Sequence, residues 1–94
     1  MQKSVREKLH KILDLVLDIN ESGKATTFMT FSGHVNGITV SAHMPKWEVN
    51  SDPDIRDEVY LNKPEEPLYG TTTLDAVIEN LEKVQKGEHA NEAV

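Results

Sequence analysis

Four side chains in one uncharged stretch are of the types that perform acid–base and nucleophilic chemistry. Ser32, His34, Ser41 and His43 all lie within residues 28–44, which contain two glycines and no charged residue. A histidine that takes the proton of a serine hydroxyl activates that oxygen as a nucleophile. A small hydrolase using this Ser/His face is therefore one hypothesis for the chain.

Two observations weigh against catalysis and metal binding there. The stretch has no carboxylate to orient a histidine, and an open sheet face is wet, which weakens electrostatic catalysis. In the hairpin register predicted below, His34 and His43 start roughly 13 Å apart. Zinc needs its donors at ~2.1 Å. We therefore expect no catalytic site, no metal and no cofactor.

The run Asn50-x-Asp52-x-Asp54 has the oxygen spacing that opens a calcium loop. Such a loop needs glycine at its sixth position and glutamate at its twelfth. Those positions hold Ile55 and Leu61, so the run is interpreted as a turn.

An amphipathic helix is predicted from Ser4 to about Ser22. Ser4 and Glu7 match a capping box, and Gly23 suits the left-handed residue after a helix. The expected apolar stripe comprises Val5, Leu9, Ile12, Leu13, Val16, Leu17 and Ile19.

A β-hairpin is predicted around Asn36-Gly37, which favours a two-residue type I′ turn. In that register Val35 lies opposite Ile38 and Phe31 opposite Ala42. The predicted apolar face comprises Met29, Phe31, Val35, Ile38, Val40, Ala42 and Met44. The other face receives Thr30, Ser32, His34, Ser41 and His43.

A third strand is predicted from Glu58 to Asn62, and a second helix from an N-cap at Thr72 or Thr73 to Lys86-Gly87. The predicted fold is α+β, in the order α-β-β-β-α. It is a three-stranded antiparallel meander with two helices packed on one face. We expect a single domain over 1–87 and a flexible tail over 88–94.

Composition restricts the function further. The net charge is −6 and cysteine is absent, which excludes disulfides and thiolate chemistry. From Lys46 onward there are five basic and twelve acidic residues, and such a surface repels nucleic acid. No apolar run approaches the ~20 residues that cross a bilayer. A cytoplasmic protein is expected.

The first strand would be a sheet edge without a single charge. Natural edges are usually protected by lysine, proline or bulges, so this one could pair with a partner protein or form a homodimer. Trp47 is either a contact anchor or a lid on the core. The candidate partner-binding residues are Phe28, Thr30, Ser32, His34, Trp47, Asp52, Asp54, Asp57 and Glu58. The acidic loops solubilise the domain or, alternatively, mimic nucleic acid in an inhibitor of anti-CRISPR or anti-restriction type.

Two resemblances bear on function. The element order resembles that of the double-stranded RNA-binding domain, but Thr72-Thr73-Leu74-Asp75 stands where that family has its lysine cluster, so RNA binding is not expected. The stretch FMTFSGHVNGITV with Trp47 resembles small uncharacterised proteins of Gram-positive phages and prophages. That resemblance implies a mobile-element origin, in the host cytoplasm, and no particular activity. The leading hypothesis is a non-enzymatic protein that binds other proteins.

Overall fold

The computed structural model describes residues 2–45, 48–50, 52–63, 66–67 and 70–87. Within them the chain forms two helices and a three-stranded antiparallel sheet of order β1-β2-β3, which confirms the predicted α-β-β-β-α architecture. The elements are α1 (Lys3–Ser22), β1 (Thr26–Ser32), β2 (Gly37–His43), β3 (Ile55–Tyr60) and α2 (Leu74–Lys86).

The two helices end as predicted, but α1 begins differently. Gly23 and Gly87 adopt the left-handed conformation after α1 and α2, and the Thr73 hydroxyl accepts from the Ala76 amide at the start of α2. The predicted capping box at Ser4 does not form. The N-cap position of α1 is Gln2, without a side-chain bond, and Ser4 lies inside the first turn.

The hairpin turn is four residues long, not two, so the predicted type I′ turn is wrong. Ser32 pairs with Gly37, and residues 33–36 form the loop. Asn36 does take the left-handed conformation, with φ 51°. The Asn36 carbonyl accepts from the Leu61 amide at 2.8 Å, and its side-chain amide donates to Asn62 Oδ1 at 2.7 Å. These bonds to the end of β3 fix a turn that local preference alone does not favour.

Gly37 is required by close packing and not by the turn. Its φ is not left-handed, but a Cβ built there would lie 3.3 Å from the Val59 carbonyl oxygen and 3.4 Å from Tyr60 Cδ1. A side chain at this position would therefore push β3 away from β2.

The β1–β2 register slips by four residues from the predicted one. Phe31 pairs with Ile38, and Met29 with Val40. A slip by an even number leaves each side chain on its predicted face, so Ile38 and Val40 are buried as expected. Phe31 and Val35 are not: Phe31 is 54% exposed at the end of the sheet, and Val35 is 44% exposed in the loop.

The third strand begins three residues before its predicted start. It covers Ile55–Tyr60, and Leu61 is buried immediately beyond it. β2 ends at His43, and Val49, in the connection to β3, is 74% exposed. The outer edge of β3 is bonded at its middle residue, because the Thr72 amide donates to the Glu58 carbonyl at 2.9 Å.

The core lies between one sheet face and the two helices. α1 and α2 run side by side in the same direction, joined by Lys8–Asp75 at 3.1 Å near their starts and by Gln85–Asp18 at 3.4 Å near their ends. The α1 residues in the core include Leu15, which the predicted stripe omitted. The buried apolar residues are Val5, Ile12, Leu15, Val16, Ile19, Ala25, Ile38, Val40, Ala42, Ile55, Val59, Leu61, Leu74, Val77, Leu81 and Val84.

The two hairpin glycines provide a matched test of this packing. We expect Gly37→Ala to lower the free energy of unfolding by about 1 kcal/mol, because the added methyl meets backbone that cannot move freely. Gly33→Ala should change it by less than about 0.5 kcal/mol, since its Cβ would meet only Phe31 Cε1, at 3.7 Å. Urea denaturation of the two variants measures both values. Equal effects would show that Gly37 has no special packing role.

Candidate functional site

The structure does not assemble the Ser/His site. His34 lies in the hairpin loop, while Ser32 faces Gly37 at one end of the ribbon. Ser41 is four residues beyond Gly37 along β2, which places it roughly 13 Å from the end of the ribbon where Ser32 lies. The observed register therefore brings neither Ser41 to His34 nor Ser32 to His43.

His43 is packed against an aromatic ring instead. It is 7% exposed, and the Phe28 ring meets it edge to face at a centroid distance of 5.8 Å. Such aromatic pairs stabilise a sheet surface. The histidine that the sequence offered as a catalytic candidate is therefore buried, with the Phe28 ring as one of its contacts.

The calcium-like run behaves as a turn. The Asp54 carboxylate accepts from the Met44 amide at 2.6 Å, and Asn50 has a left-handed φ of 65°. These interactions organise the connection between β2 and β3. In the part of the chain that the structure describes, no three His, Cys, Asp or Glu side chains are close enough to hold a metal ion.

The acidic residues of the second half do not share one surface. Asp57 faces the helices and accepts from Asn80 Nδ2 at 3.2 Å. The next residue, Glu58, points to the opposite sheet face, where Arg56 holds it at 2.6 Å. Asp52 is exposed in the loop before β3. Asp57 and Glu58, which are neighbours in the sequence, therefore cannot belong to one continuous array of carboxylates on this surface.

The sheet face away from the helices collects part of the predicted partner-binding set. Phe28, Thr30 and Ser32 alternate along β1 on that face, and Glu58 reaches it from β3. His34 is off this face in the loop. Trp47 lies outside the described residues.

The strongest candidate site is the free edge of β1. Thr27 pairs with Ala42, yet its amide and carbonyl bond to α1 and so point away from β2. In an antiparallel strand every second residue directs its backbone groups the same way. Met29 and Phe31 therefore also present their N–H and C=O groups outward. No group among the described residues bonds these four backbone atoms.

Asn20 closes the edge at its first outward position. Its Oδ1 accepts from the Thr27 amide at 2.7 Å, and its Nδ2 donates to the Thr27 carbonyl at 3.1 Å. The Thr27 hydroxyl lies 3.0 Å from the same Oδ1 and 3.1 Å from the Val16 carbonyl. The Asn20 side chain thus imitates one residue of a neighbouring strand. Among the described residues, no group bonds to the next two outward positions, at Met29 and Phe31.

Exposed apolar side chains border this edge. Leu13, Leu17 and Asn20 recur at spacings of four and three, so they lie along one side of α1, the side that Asn20 turns toward β1. Leu13 is 44% and Leu17 50% exposed. Both were predicted to be buried. The apolar stripe of α1 is wider than the surface that β1 and α2 cover, and its outer leucines remain in contact with solvent.

Sequence reasoning identified the edge but missed Asn20, Leu13 and Leu17 as parts of it. A signal for Asn20 exists, because a polar amide stands beside buried Ile19 near the end of an amphipathic helix. The amide pairs with a strand backbone, which the sequence does not specify. The two leucines gave no signal that separates them from the buried stripe.

Comparisons with protein-family models, curated proteins and solved structures found no match to this chain. Within the described residues, neither helix has the length and apolar character needed to span a membrane.

Asn20→Ala tests the closing role of that side chain. We expect the free energy of unfolding to fall by about 1–2 kcal/mol, because the Thr27 backbone groups lose their partners in a largely buried position. Amide exchange of Thr27 should accelerate, while exchange of Thr30, which faces β2, should not. Glu21→Ala is the control. An unchanged exchange rate at Thr27 would contradict the assignment.

Proposed function

We propose that this chain is a non-enzymatic protein-binding domain that accepts a strand at the free edge of β1. The observation that carries the proposal is the pair of outward backbone positions at Met29 and Phe31, to which no described residue bonds and which exposed leucines border. Adding a strand to a sheet edge supplies main-chain hydrogen bonds, while neighbouring side chains select the sequence. The partner is another protein or a second copy of this chain.

The composition of the edge supports this use. From Ala25 to Pro45 the chain carries no charged residue. Lysines, prolines and inward-pointing charges are the means by which natural proteins prevent edge pairing. None of them occurs within β1, and Phe31 on this strand is more than half exposed. An edge of this kind is suited to pairing with another strand.

The alternative functions have less support. A hydrolase would need Ser32, His34, Ser41 and His43 to converge, and they lie at different places in the hairpin. An acidic nucleic-acid mimic would need aligned carboxylates, whereas Asp57 bonds to α2 from the inner face. Direct nucleic-acid binding is disfavoured by the net charge of −6.

The origin of the chain remains a prediction from the sequence. We propose a phage or prophage protein that acts in the host cytoplasm, on the resemblance of the FMTFSGHVNGITV hairpin. The genomic neighbourhood tests this: flanking genes of ordinary host metabolism would remove the basis for a mobile-element origin.

A comparison of edge variants tests the binding function. Phe31→Pro removes an N–H group that points outward, so the fold keeps its own hydrogen bonds, and proline is tolerated at such edge positions. We expect the wild type either to capture a protein from a lysate of its source cells or to self-associate in sedimentation. Phe31→Pro should lower the affinity for that partner, or for a second copy, at least tenfold.

Phe31→Ala is the matched control because it removes the ring and keeps the N–H group. It should weaken binding less than proline does, and circular dichroism should confirm that both variants fold. A wild-type protein that remains monomeric and captures nothing would contradict the proposed function. Capture that survives Phe31→Pro would place the binding surface elsewhere.

A further inference from the structure

We propose that Asn36 is a modification site, at which the chain deamidates spontaneously when the hairpin turn separates from the end of β3. The reaction needs no enzyme and no cofactor, and its co-reactant is water. The inference does not rest on the proposed binding function, because it concerns the turn between β1 and β2 and not the outer edge of β1.

Asn36 and Gly37 form the dipeptide in which an asparagine side chain is chemically most labile. The backbone nitrogen of the second residue attacks Cγ of the asparagine, and the new C–N bond closes a five-membered succinimide ring. The Cγ–Nδ2 bond breaks, and the nitrogen leaves as ammonia with the proton of the attacking amide. Glycine favours ring closure because it has no side chain and a freely rotating backbone. Asn36 is the only asparagine of the sequence that a glycine follows.

Water completes the reaction by opening the ring. Hydrolysis at one carbonyl leaves an aspartate at position 36 in an ordinary main chain. Hydrolysis at the other carbonyl leaves isoaspartate, in which the main chain runs through the side-chain carbons and is one carbon longer. Water is consumed and ammonia is released without oxidation or reduction. Both products have a carboxylate where the chain had an amide.

The fold itself requires this labile pair. Asn36 has a left-handed φ of 51°, which asparagine adopts more readily than most residues, and its side chain bonds to Asn62. Gly37 has room for glycine alone, since a Cβ there would lie 3.3 Å from the Val59 carbonyl oxygen. Two separate structural requirements therefore place the reactive side chain directly before the glycine nitrogen.

The folded turn holds the Asn36 side chain toward β3. Asn36 Nδ2 donates to Asn62 Oδ1 at 2.7 Å, and the Asn36 carbonyl accepts from the Leu61 amide at 2.8 Å. Both partners lie immediately beyond the end of β3. The leaving amide group is therefore fixed on the side of β2 that faces β3.

The attacking nitrogen is held on the other side, by β1. Thr27 directs its backbone groups away from β2, and the direction alternates from one residue of an antiparallel strand to the next. Ser32, five residues later, therefore directs its groups toward β2, and its partner Gly37 donates its N–H to the Ser32 carbonyl. Gly37 is also buried. The two reacting atoms are thus bonded to different neighbouring strands.

Local opening at the end of β3 brings these atoms within reach of each other. The bond from Asn36 to Asn62 is exposed to solvent, and exposed bonds at the ends of elements open at a lower free energy than the core. Once this bond breaks, the Asn36 side chain is free to rotate toward the Gly37 nitrogen. The deamidation rate of the folded protein then reports how often the turn opens.

Rates of deamidation at Asn36 test the inference. The whole chain is incubated in mildly alkaline buffer, folded or in urea, and mass spectrometry follows the mass gain and the isoaspartate content of the turn peptide. We expect the folded protein to react at least tenfold more slowly than the unfolded chain, because only its open fraction reacts. Isoaspartate should appear in both, since it forms from the succinimide.

Variants of Asn62 test the contact that restrains the side chain. Asn62→Ala removes the acceptor of the Asn36 amide and should raise the folded-state rate at least threefold. Asn62→Asp is the matched control, because it keeps an oxygen acceptor at the same place and should react within about twofold of the wild type. In urea all three proteins should react at the same rate.

Asn20→Ala is the control for overall stability. It lowers the free energy of unfolding from the other end of β1 and leaves the turn contacts unchanged. If deamidation required global unfolding, this variant would react about 5–30-fold faster than the wild type. We expect its rate at Asn36 to stay within about twofold of the wild-type rate.

Four results would overturn the inference. Equal rates in the folded and unfolded chain would show that the turn gives no protection, and an unchanged rate in Asn62→Ala would show that the side-chain bond does not restrain the reaction. Equal acceleration by Asn20→Ala and Asn62→Ala would assign the reaction to global unfolding. A turn peptide without isoaspartate after incubation in urea would remove Asn36 as a modification site. None of these results bears on the proposed binding function.

Discussion

Burial of the inner face of β2 is the interaction on which the rest of the structure depends. Ile38, Val40 and Ala42 are each at most 2% exposed, with a strand on either side and the helices above. Their alternation with polar residues requires one orientation of the strand. Once β2 is fixed, β1 becomes an outer strand and both helices pack on one side. Among the described residues, both helices then lie on the other side of the sheet from its second face, and no further strand pairs with the β1 edge.

The sequence predicted this arrangement well where patterns repeat, and poorly where single contacts decide. When the register of an alternating strand shifts by an even number of residues, each side chain stays on the same face of the sheet. The prediction that Ile38 and Val40 are buried is therefore correct although the predicted register is wrong. The turn depended on the Leu61 amide and Asn62, which are distant in sequence and invisible to a local turn rule. Similarly, the helical repeat could not separate Leu15, which is buried, from Leu17, which is half exposed.

The candidate site also has one part that the sequence predicts and one part that single contacts decide. An uncharged outer strand can be inferred from composition and element order. Its usable length cannot, because it is set by the Asn20 amide, which bonds to the backbone of Thr27 and not to a recognisable side chain. For the histidines the sequence suggested a site that the structure does not assemble. The strand register decides where these side chains lie, and it places His43 in a buried position against Phe28. Geometry therefore decides which polar residues are available to a ligand.

The bond between the Thr72 amide and the Glu58 carbonyl has a consequence for assembly. Linear growth of a β-structured polymer requires every subunit to offer two complementary edges. Here the Thr72 amide occupies the middle one of the three outward positions of β3, between Arg56 and Tyr60. No two neighbouring outward positions are then left on that edge for a strand of a further molecule. At high concentration the protein should form complexes of finite size and resist conversion into fibres.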